Sequence, residues 1–430
     1  MTREGWWRRV ALLAGVVGLS AFAGCREQLD GGASCPLLCP AEPAVLRDTL
    51  LEAVELDTTL VGFPLAGLNA SVLVASRGDT LVTRGVFRFD LLPRTFAVNN
   101  SATTDTIRAV DSTFFVFLLD SAGSRGTGNV TIEAYDVDTT DSDSSAAVVR
   151  SLFRPDRLLG SRTVPRDSLR DSLRLRLNDS LVAIKAREGR RLRIGLAVRG
   201  TGGAQMVVRA LVANGTGVRV QFDARGDTIY APLQNVLTSL TPTDNVDFAN
   251  AYQAYTVPVI TTPLPARDEW AVGGIPGRRS YLRFRIPRGI QDSSTIVRAQ
   301  LLLTQRRSPS VDATRGITLV GYVGNATTVV TDLSRAAALA SLGRDLLTGA
   351  LVIDTLRVAP SDTGLRVISV VSVVRSWATL DSTVPRAIIF GTDLEGISGQ
   401  ELRFASIRAP ASQRPRLRIT YQPRREFGLP

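Results

Sequence analysis

The sequence contains no histidine, and this absence excludes several kinds of active site. Ser-His-Asp and Cys-His catalysis need an imidazole as base, and many metal sites need its ring nitrogens. Gly-x-Ser-x-Gly, Ser-x-x-Lys and P-loop motifs are absent as well. A carboxylate pair of the glycosidase type leaves no mark in a sequence, but nothing here indicates one. The sequence therefore predicts a protein that is not an enzyme and that uses no cofactor.

Cysteine is almost as scarce, with three residues, and the first of them follows an export signal. A basic N-terminal segment precedes an apolar run over residues 10–23, which is too short to span a membrane. The run ends in Ala-Gly before Cys25, which resembles a bacterial lipobox. We predict a signal peptide over residues 1–24 and a lipid on Cys25 that anchors the chain in the cell envelope, at the outer membrane. The alternative is an ordinary signal peptide in which the cysteine occurs by chance.

The other two cysteines, Cys35 and Cys39, lie in a short segment, residues 25–44, that has no hydrophobic periodicity. Outside the cytoplasm an even pair of cysteines usually forms a disulfide. A structural metal site would need further thiol or imidazole ligands, and the chain has none. We therefore predict a Cys35–Cys39 disulfide, no metal site, and a tether that spaces the first domain from the membrane.

Lysine is nearly missing too, since Lys185 is the only one among 51 basic residues. With 40 acidic residues the formal charge is +11 and the pI about 10.4. Such a basic balance is typical of proteins that bind nucleic acid. The arginines are spread singly along the predicted strands, however, which is typical of solvated strand faces. The sequence thus predicts no nucleic-acid partner and leaves an acidic polysaccharide open.

What the chain does contain is a strongly alternating segment over residues 277–304. Successive side chains of a β-strand point to opposite faces, so one face receives Leu282, Phe284 and Ile286 and the other Tyr281, Arg283 and Arg285. An earlier segment, residues 84–93, repeats the pattern. Its residues at the positions of the apolar set are Phe87, Phe89 and Leu91. Such a repeat indicates two copies of one strand.

A second pair of similar strands, residues 217–222 and 414–421, ends the two halves. The same order in each half indicates an internal duplication, with a period too long for a solenoid. Many short strands with turns between them predict an all-β fold of two tandem jelly-roll-like antiparallel β-sandwiches. The expected bounds are 45–235 for the first sandwich, 236–250 for a linker, 251–423 for the second sandwich and 424–430 for a tail. Residues 166–181 are expected to form a turn and a strand, and residues 332–347 a helix.

The second half resembles the DNRLRE-domain family, a group of carbohydrate-binding-module-like β-sandwiches on secreted bacterial proteins. The resemblance is carried by residues 279–284 (RSYLRF), 299–303 (AQLLL), 374–377 (VRSW) and 414–421 (RPRLRITY), in this order. The first half has no counterpart of Trp377. The resemblance implies a jelly-roll fold without catalysis and, in some members, polysaccharide binding. It transfers no ligand residue to this chain.

Sugar-binding modules use exposed aromatic rings, because the face of a pyranose is apolar, and only 6% of this chain is aromatic. Trp270 lies in a Gly-rich polar stretch, where an exposed ring competes with a core position. Tyr281, Arg283 and Arg285 share one strand face and could hold an acidic sugar, whereas a solvated face is the plain alternative. Trp377 follows an apolar run and is expected in the core.

The acidic loop over residues 139–145, with Asp136 and Asp138, offers several carboxylates for calcium. It lacks the glycine and closing glutamate of an EF-hand, so a hairpin loop is favoured. Together the sequence predicts a non-catalytic lipoprotein of the envelope whose sandwiches bind polysaccharide, with a structural or adhesive lipoprotein as the alternative.

Overall fold

A computed structural model describes part of the 430-residue chain. The described residues are 45–62, 71–139, 146–210, 217–226, 233–237, 253–310, 312–324, 353–380 and 384–424. Residues 1–44 are outside this part, so the signal peptide, Cys25 and the Cys35–Cys39 disulfide stay predictions. The expected helix over residues 332–347 and most of the expected linker and tail also lie outside it. Among the described residues no helix is long and apolar enough to cross a membrane.

The described part is built mainly from short strands. They are β1 (Arg47–Leu51), β2 (Val54–Val61), β3 (Ser71–Arg77), β4 (Leu81–Leu91), β5 (Thr95–Ala97), β6 (Thr104–Thr106), β7 (Val110–Leu119), β8 (Arg125–Gly126), β9 (Asn129–Asp136), β10 (Leu158–Pro165), β11 (Ser172–Arg176), β12 (Arg191–Gly200), β13 (Ala204–Arg209), β14 (Arg219–Ala224), β15 (Leu233–Val236), β16 (Ala254–Ile260), β17 (Glu269–Gly273), β18 (Arg278–Phe284), β19 (Ser294–Arg306), β20 (Ile317–Val323), β21 (Leu356–Val358), β22 (Gly364–Ser369), β23 (Arg386–Thr392), β24 (Glu401–Ala405) and β25 (Arg416–Pro423). The short α-helices are α1 (Ala146–Ser151), α2 (Asp179–Glu188), α3 (Arg288–Gln291) and α4 (Val371–Ser376).

The strands form two large antiparallel sheets, which confirms the predicted all-β fold. The N-terminal sheet has the order β15-β14-β7-β13-β3-β4-β12-β9-β10, with β11 paired to β7, β16 to β4 and β8 to β13. The C-terminal sheet has the order β1-β25-β19-β24-β17-β18-β23-β20-β21, with β22 paired to β19 and β2 to β18. The small β5–β6 hairpin stands apart. Apart from β8, each strand of the N-terminal sheet has a counterpart at the same place in the C-terminal sheet.

Each sheet folds over its own hydrophobic core. In the N-terminal sheet, β10 contributes Leu159 and β14 contributes Val220 to one core, although the two strands lie near opposite ends of the order. The C-terminal sheet encloses a second core around Trp270, Trp377 and their neighbours. A strand order that curls back to share one core is the sandwich arrangement in which one face of each strand is buried.

The registers reproduce the alignment predicted from sequence. Phe87 of β4 lies opposite Ile194, and Leu282 of β18 lies opposite Ile388 of the equivalent strand. Two residues away, Gly85 lies opposite Leu196, as Ser280 lies opposite Phe390. The Phe87 and Leu282 segments are therefore equivalent in structure as well as in pattern.

The two sheets exchange a pair of strands. Residues 47–61 were expected in the first sandwich, but β1 pairs with β25 and β2 with β18 of the C-terminal sheet. Residues 254–260 were expected in the second sandwich, but β16 pairs with β4 of the N-terminal sheet, just as β15 pairs with β14. The pair β1–β2 thus completes the later sheet, and the pair β15–β16 completes the earlier one. Val236 ends β15, so the structure places strand where the linker was expected to begin.

A threonine makes the same hydrogen bond in both exchanged strands. Thr59 lies opposite Ser280, and its Oγ1 accepts a hydrogen bond from the backbone N–H of Ala271 at 3.1 Å. Thr256 lies opposite Gly85, and its Oγ1 accepts from the N–H of Leu73, also at 3.1 Å. A buried backbone N–H without a partner costs free energy of folding, so each threonine stabilises the pairing of its strand with the sheet of the other half.

Further contacts join the two halves. Leu73 and Val207 of the N-terminal sheet share an apolar cluster with Ile275, and Ile397 packs against it. Beside this cluster Asp312 forms ion pairs with Arg77 and Arg125. The described residues from Leu46 onward form one compact unit, in agreement with these contacts.

The expected turn and strand over residues 166–181 are present up to Arg176, and helix α2, which was not predicted, begins at Asp179. The strand β11 ends at Arg176, and Asn178 then caps the helix by accepting from the N–H of Leu181 at 3.1 Å. Gly189 ends it in the left-handed conformation, with φ of 62°, that glycine adopts without strain. The alternating leucines just before Asn178 indicate a strand, and the prediction extended that strand over the start of the helix.

We expect Thr256→Val to reduce the free energy of unfolding by about 1–3 kcal/mol, because the nearly isosteric side chain leaves the N–H of Leu73 without its acceptor. Thr59→Val should destabilise the chain in the same way, because it leaves the N–H of Ala271 without its acceptor. Hydrogen exchange of the intact chain provides the measurement. Thr256→Val should speed exchange of the Leu73 amide hydrogen, and Thr59→Val should speed exchange of the Ala271 amide hydrogen. The exposed Thr363→Val is the control. If Thr256→Val left the Leu73 amide unchanged, the exchanged pairing would be contradicted.

Asp57 of β2 gives a pH-dependent prediction. Its Oδ2 accepts from the N–H of Ile407 at 2.7 Å, and burial raises the pKa of its carboxyl above the usual value. The folded chain then binds the proton more tightly than the unfolded chain, so the ionised group costs stability at neutral pH, and the cost fades as pH falls through the raised pKa. Asp57→Asn should therefore unfold at higher denaturant concentration than the parent at pH 7. A difference that grew at acidic pH would contradict the assignment.

Candidate functional site

A bulge in the pairing of β2 with β18 shapes the candidate site. Arg283 lies opposite Leu56 and Phe284 opposite Val54, so Glu55 is the extra residue of the bulge. Bulges re-aim a side chain and are frequent beside functional sites. Here the bulge brings the Glu55 carboxylate next to Arg283 of β18 and Arg285, which directly follows the last residue of that strand.

The Glu55 carboxylate bridges the two predicted arginines. Its Oε1 lies 2.6 Å from Nε of Arg283, and its Oε2 lies 2.8 Å from Nε of Arg285. Arg386 of β23 lies opposite Phe284 and lines the same surface. We call this open cleft of about 300 Å³ the arginine cleft; Glu55, Arg283, Phe284, Arg285, Ile286, Val384, Pro385 and Arg386 line it.

The arginine cleft is lined by three arginines and one carboxylate, which leaves a formal excess of two positive charges. Two of the arginines, Arg283 and Arg285, pair with this carboxylate. The Arg285 side chain is 81% exposed, whereas Arg283 is 30% exposed and Glu55 25%. Arginine is not deprotonated in proteins, so the three guanidinium groups cannot act as general bases. The cleft can bind carboxylate or sulfate groups through paired, charge-assisted hydrogen bonds.

Tyr281 does not belong to this surface, which corrects the prediction. The ring is fully buried, in a small apolar cluster with Leu60 and Ile389. Its strand face was expected to be solvated because of the neighbouring arginines. The adjacent strands β2 and β23 instead place apolar side chains on the same face, and the ring packs among them.

Trp270 is likewise a core residue and not an exposed ring. Its side chain is 1% exposed and stacks on Phe404 and Phe390, with ring centroids 4.5 and 5.7 Å away. Trp270 of β17 pairs with Phe404 of β24, and both rings lie on the face of the sheet that encloses the core. Trp377 is fully buried against Phe284, at 5.3 Å between ring centroids, which confirms its predicted core position.

The aspartates considered for calcium have another partner. Lys185 Nζ lies 2.9 Å from Oδ1 of Asp136 and 3.0 Å from Oδ2 of Asp138. Residues 140–145 of the acidic loop lie outside the described part. Within the part that is described, no group of three or more potential metal ligands occurs.

A buried charge cluster was missed entirely by the sequence analysis. The Glu401 carboxylate, fully buried on β24, contacts Arg278 and lies 2.6 Å from Nε of Arg403. Arg278 donates to the carbonyl oxygen of Thr262, and Arg403 to that of Pro263, at 2.6 and 2.7 Å. Burial and the neighbouring Arg403 lower the pKa of Arg278 to about 10. The cluster holds the segment that leads from β16 to β17 and is structural.

Sequence reasoning found Arg283 and Arg285 but missed Glu55 and Arg386. Glu55 lies at a bulge of β2 and Arg386 lies on β23, and each is more than a hundred residues from Arg283 in the sequence. Alternation within one strand gives no signal for either residue.

No protein-family model matches this chain, and no curated protein matches it. Among solved structures, the infectious bursal disease virus Gt strain structure aligns at 10% identity, with 88% of this chain and 77% of that chain covered and a TM-score of 0.10. T=1 particles derived from infectious bursal virus align at 12% identity, with 90% and 78% covered and a TM-score of 0.10. Scores this low carry no argument about the function of this chain.

We expect Trp270→Ala to lower the free energy of unfolding by about 3–5 kcal/mol, because a large buried ring is replaced by a cavity between two phenylalanines. Denaturant unfolding of the intact chain measures the loss. Leu365→Ala, at an apolar residue that is 54% exposed, is the control and should change stability little. A Trp270→Ala chain as stable as the parent would support the rejected exposed-ring interpretation.

Proposed function

We propose that this protein is a non-catalytic lipoprotein of the cell envelope that binds an acidic polysaccharide through the arginine cleft. The single observation that carries the proposal is an open cleft lined by Arg283, Arg285 and Arg386 around one carboxylate, Glu55, which pairs with the first two. The excess positive charge favours an anionic ligand, and the open form favours an extended one over a compact one.

The spacing of the cleft suits a polymer. Arg283 and Arg285 are two residues apart on one strand, so their Cα atoms lie roughly 7 Å apart and can meet successive groups along a chain. Exposed ion pairs contribute about 0.2–1 kcal/mol each, and salt screens them. With Tyr281 and Trp270 buried, ring stacking by these residues does not contribute. Binding should therefore be weak for one molecule and salt-sensitive, and many anchored copies would strengthen it by avidity.

The anchor is a part of the proposal. A lipid on Cys25 would hold the chain at the outer membrane, and residues 25–44 would space the sheets from it. An exported, tethered protein would present the arginine cleft to anionic polymers of the envelope or its surroundings. The histidine-free sequence supports the non-catalytic part.

A second candidate function is a structural or adhesive envelope lipoprotein without a small ligand. The exchange of β1–β2 and β15–β16 between the sheets favours it, because the exchange ties the two halves together. The burial of Trp270 and Tyr281 favours it as well, since it removes the predicted sugar-stacking rings.

The test is retention of the intact chain on immobilised polygalacturonate at low salt, with dextran as the neutral polymer. The parent should be retained by polygalacturonate only and released by salt. Replacing Arg283, Arg285 and Arg386 together by Gln should weaken binding roughly 3- to 140-fold, the range for three exposed ion pairs. Glu55→Gln should tighten it, because both guanidinium groups are then free for the ligand.

The matched control removes the same charge elsewhere, by Gln at Arg154, Arg190 and Arg225, which are exposed and already paired with acidic residues. If both triple variants lose the same affinity, net charge and not the cleft binds the polymer. If the parent is not retained at all, the structural function replaces the proposal.

A further inference from the structure

Lys185 is chemically unlike every other basic side chain of this protein. The chain uses arginine at all other basic positions, including buried ones such as Arg193 and Arg278. Lys185 projects from α2 toward the end of β9, and its side chain is only 7% exposed. The single lysine therefore stands in a protected place, where a primary amine replaces the otherwise universal guanidinium.

Two carboxyl groups hold the amine from different sides. Nζ lies 2.9 Å from Oδ1 of Asp136 and 3.0 Å from Oδ2 of Asp138, and 3.4 Å from the carbonyl oxygen of Arg191. The Asp136 side chain is 15% exposed and that of Asp138 29%. The two acids thus differ in burial, and the more buried one is the closer to the amine.

The carboxyl groups are fixed by hydrogen bonds of their own backbone. The N–H of Asp138 donates to Oδ1 of Asp136 at 3.2 Å. Arg157 donates to the carbonyl oxygens of Asp136 and Asp138, at 2.9 and 2.7 Å. The segment is therefore held in place before any reaction, and one oxygen of Asp136 already has a backbone donor, which is the arrangement that stabilises negative charge on an acyl oxygen.

An ion pair alone does not account for the choice of residue. Arginine makes the stronger paired contacts with carboxylates, and the chain supplies it at each of its other buried ion pairs among the described residues. What lysine adds is nucleophilicity: its amine, once neutral, attacks an acyl carbon, whereas a guanidinium does not. From this difference and the geometry we infer that Lys185 and Asp136 condense to an intramolecular amide bond, with Asp138 as the proton carrier.

The condensation balances without any oxidant or cofactor. Both protons of the departing water come from the ammonium group. Asp138 carries the first proton from Nζ to Oδ2 of Asp136, and the neutral Nζ then attacks Cγ, so that the C–N bond forms. Asp138 carries a second proton from the nitrogen to the same oxygen, the bond from Cγ to Oδ2 breaks, and its electron pair leaves with the oxygen as one water molecule, which returns Asp138 to a carboxylate. Oδ1 remains as the amide oxygen, with the N–H of Asp138 as its donor.

The bond would join two elements that lie 49 residues apart in sequence, the end of β9 and helix α2. A covalent bridge of this length constrains the unfolded chain as a disulfide does. It would stiffen the N-terminal half at the place where α2 packs on its sheet, without needing cysteine or an oxidising agent. The product is a permanent staple and not a reversible switch.

The test uses the fact that the chain offers a lysine-specific protease a single site. The denatured full chain is digested with this protease and run on a denaturing gel. An unmodified chain is cut into residues 1–185 and 186–430, whereas a chain with the amide bond resists, because its only lysine is blocked. Arginine-specific digestion should then give a branched peptide of residues 126–150 and 177–187, lighter than their sum by one water molecule, with the bond at Asp136.

Three variants make the result specific. Asp136→Ala should restore cleavage at Lys185, and Asp138→Asn should restore most of it by removing the proton carrier. Asp179→Ala, at the first residue of the same helix, removes an ion pair with Arg176 of β11 and is the control, which should stay resistant. Complete cleavage of the parent would overturn the inference and leave Lys185 as an ion-pair residue. A lost water without protease resistance, or a branch at Asp138, would overturn the assignment to Asp136.

Discussion

The requirement that every buried backbone N–H and C=O has a partner determines how this chain is assembled. Strand β18 lies inside its sheet and is paired on one side by β23 and on the other by β2. Strand β4 depends on β16 in the same way. Each half lacks one of these partners in its own stretch of sequence and receives it from the other. The two cores and the apolar cluster of Leu73, Val207 and Ile275 depend on this reciprocal pairing. The arginine cleft depends on it as well, because Glu55 belongs to the exchanged strand β2.

Buried charge serves the same exchange. The segment between β16 and β17 has to return from the N-terminal sheet to the C-terminal one, and the carbonyl oxygens of Thr262 and Pro263 meet Arg278 and Arg403 there. Glu401 contacts both guanidinium groups in a place that water barely reaches and offsets one of their two charges, and Glu269 lies 3.4 Å from Arg403. Removing one member of such a buried cluster leaves the others uncompensated, so its members are energetically dependent on one another.

The sequence predicted the strands and their equivalence well, because alternation identifies which face of a strand is apolar. It did not predict the exchange, since β2 and β16 carry the same signals and alternation does not name a partner. The faces of Tyr281 and Trp270 were misjudged for a related reason: whether a sheet face is solvated depends on the neighbouring strands, which a single segment does not contain. Asn178 and Gly189 are signals for the start and end of helix α2, but the alternating leucines before Asn178 favoured a strand in the prediction.

The order in which these strands appear along the chain bears on the speed of folding. The ladder of β1 with β25 includes a contact between Asp48 and Arg418, which are 370 residues apart. Folding rates fall as contacting residues become more distant in sequence, because the closure entropy of a long loop is lost before any contact repays it. Strands β1 and β2 are the first of the described chain to be synthesised and among the last to find their places. Until β25 exists, their unpaired edges are open to pairing with other chains, which makes the period before closure the time of greatest risk of aggregation.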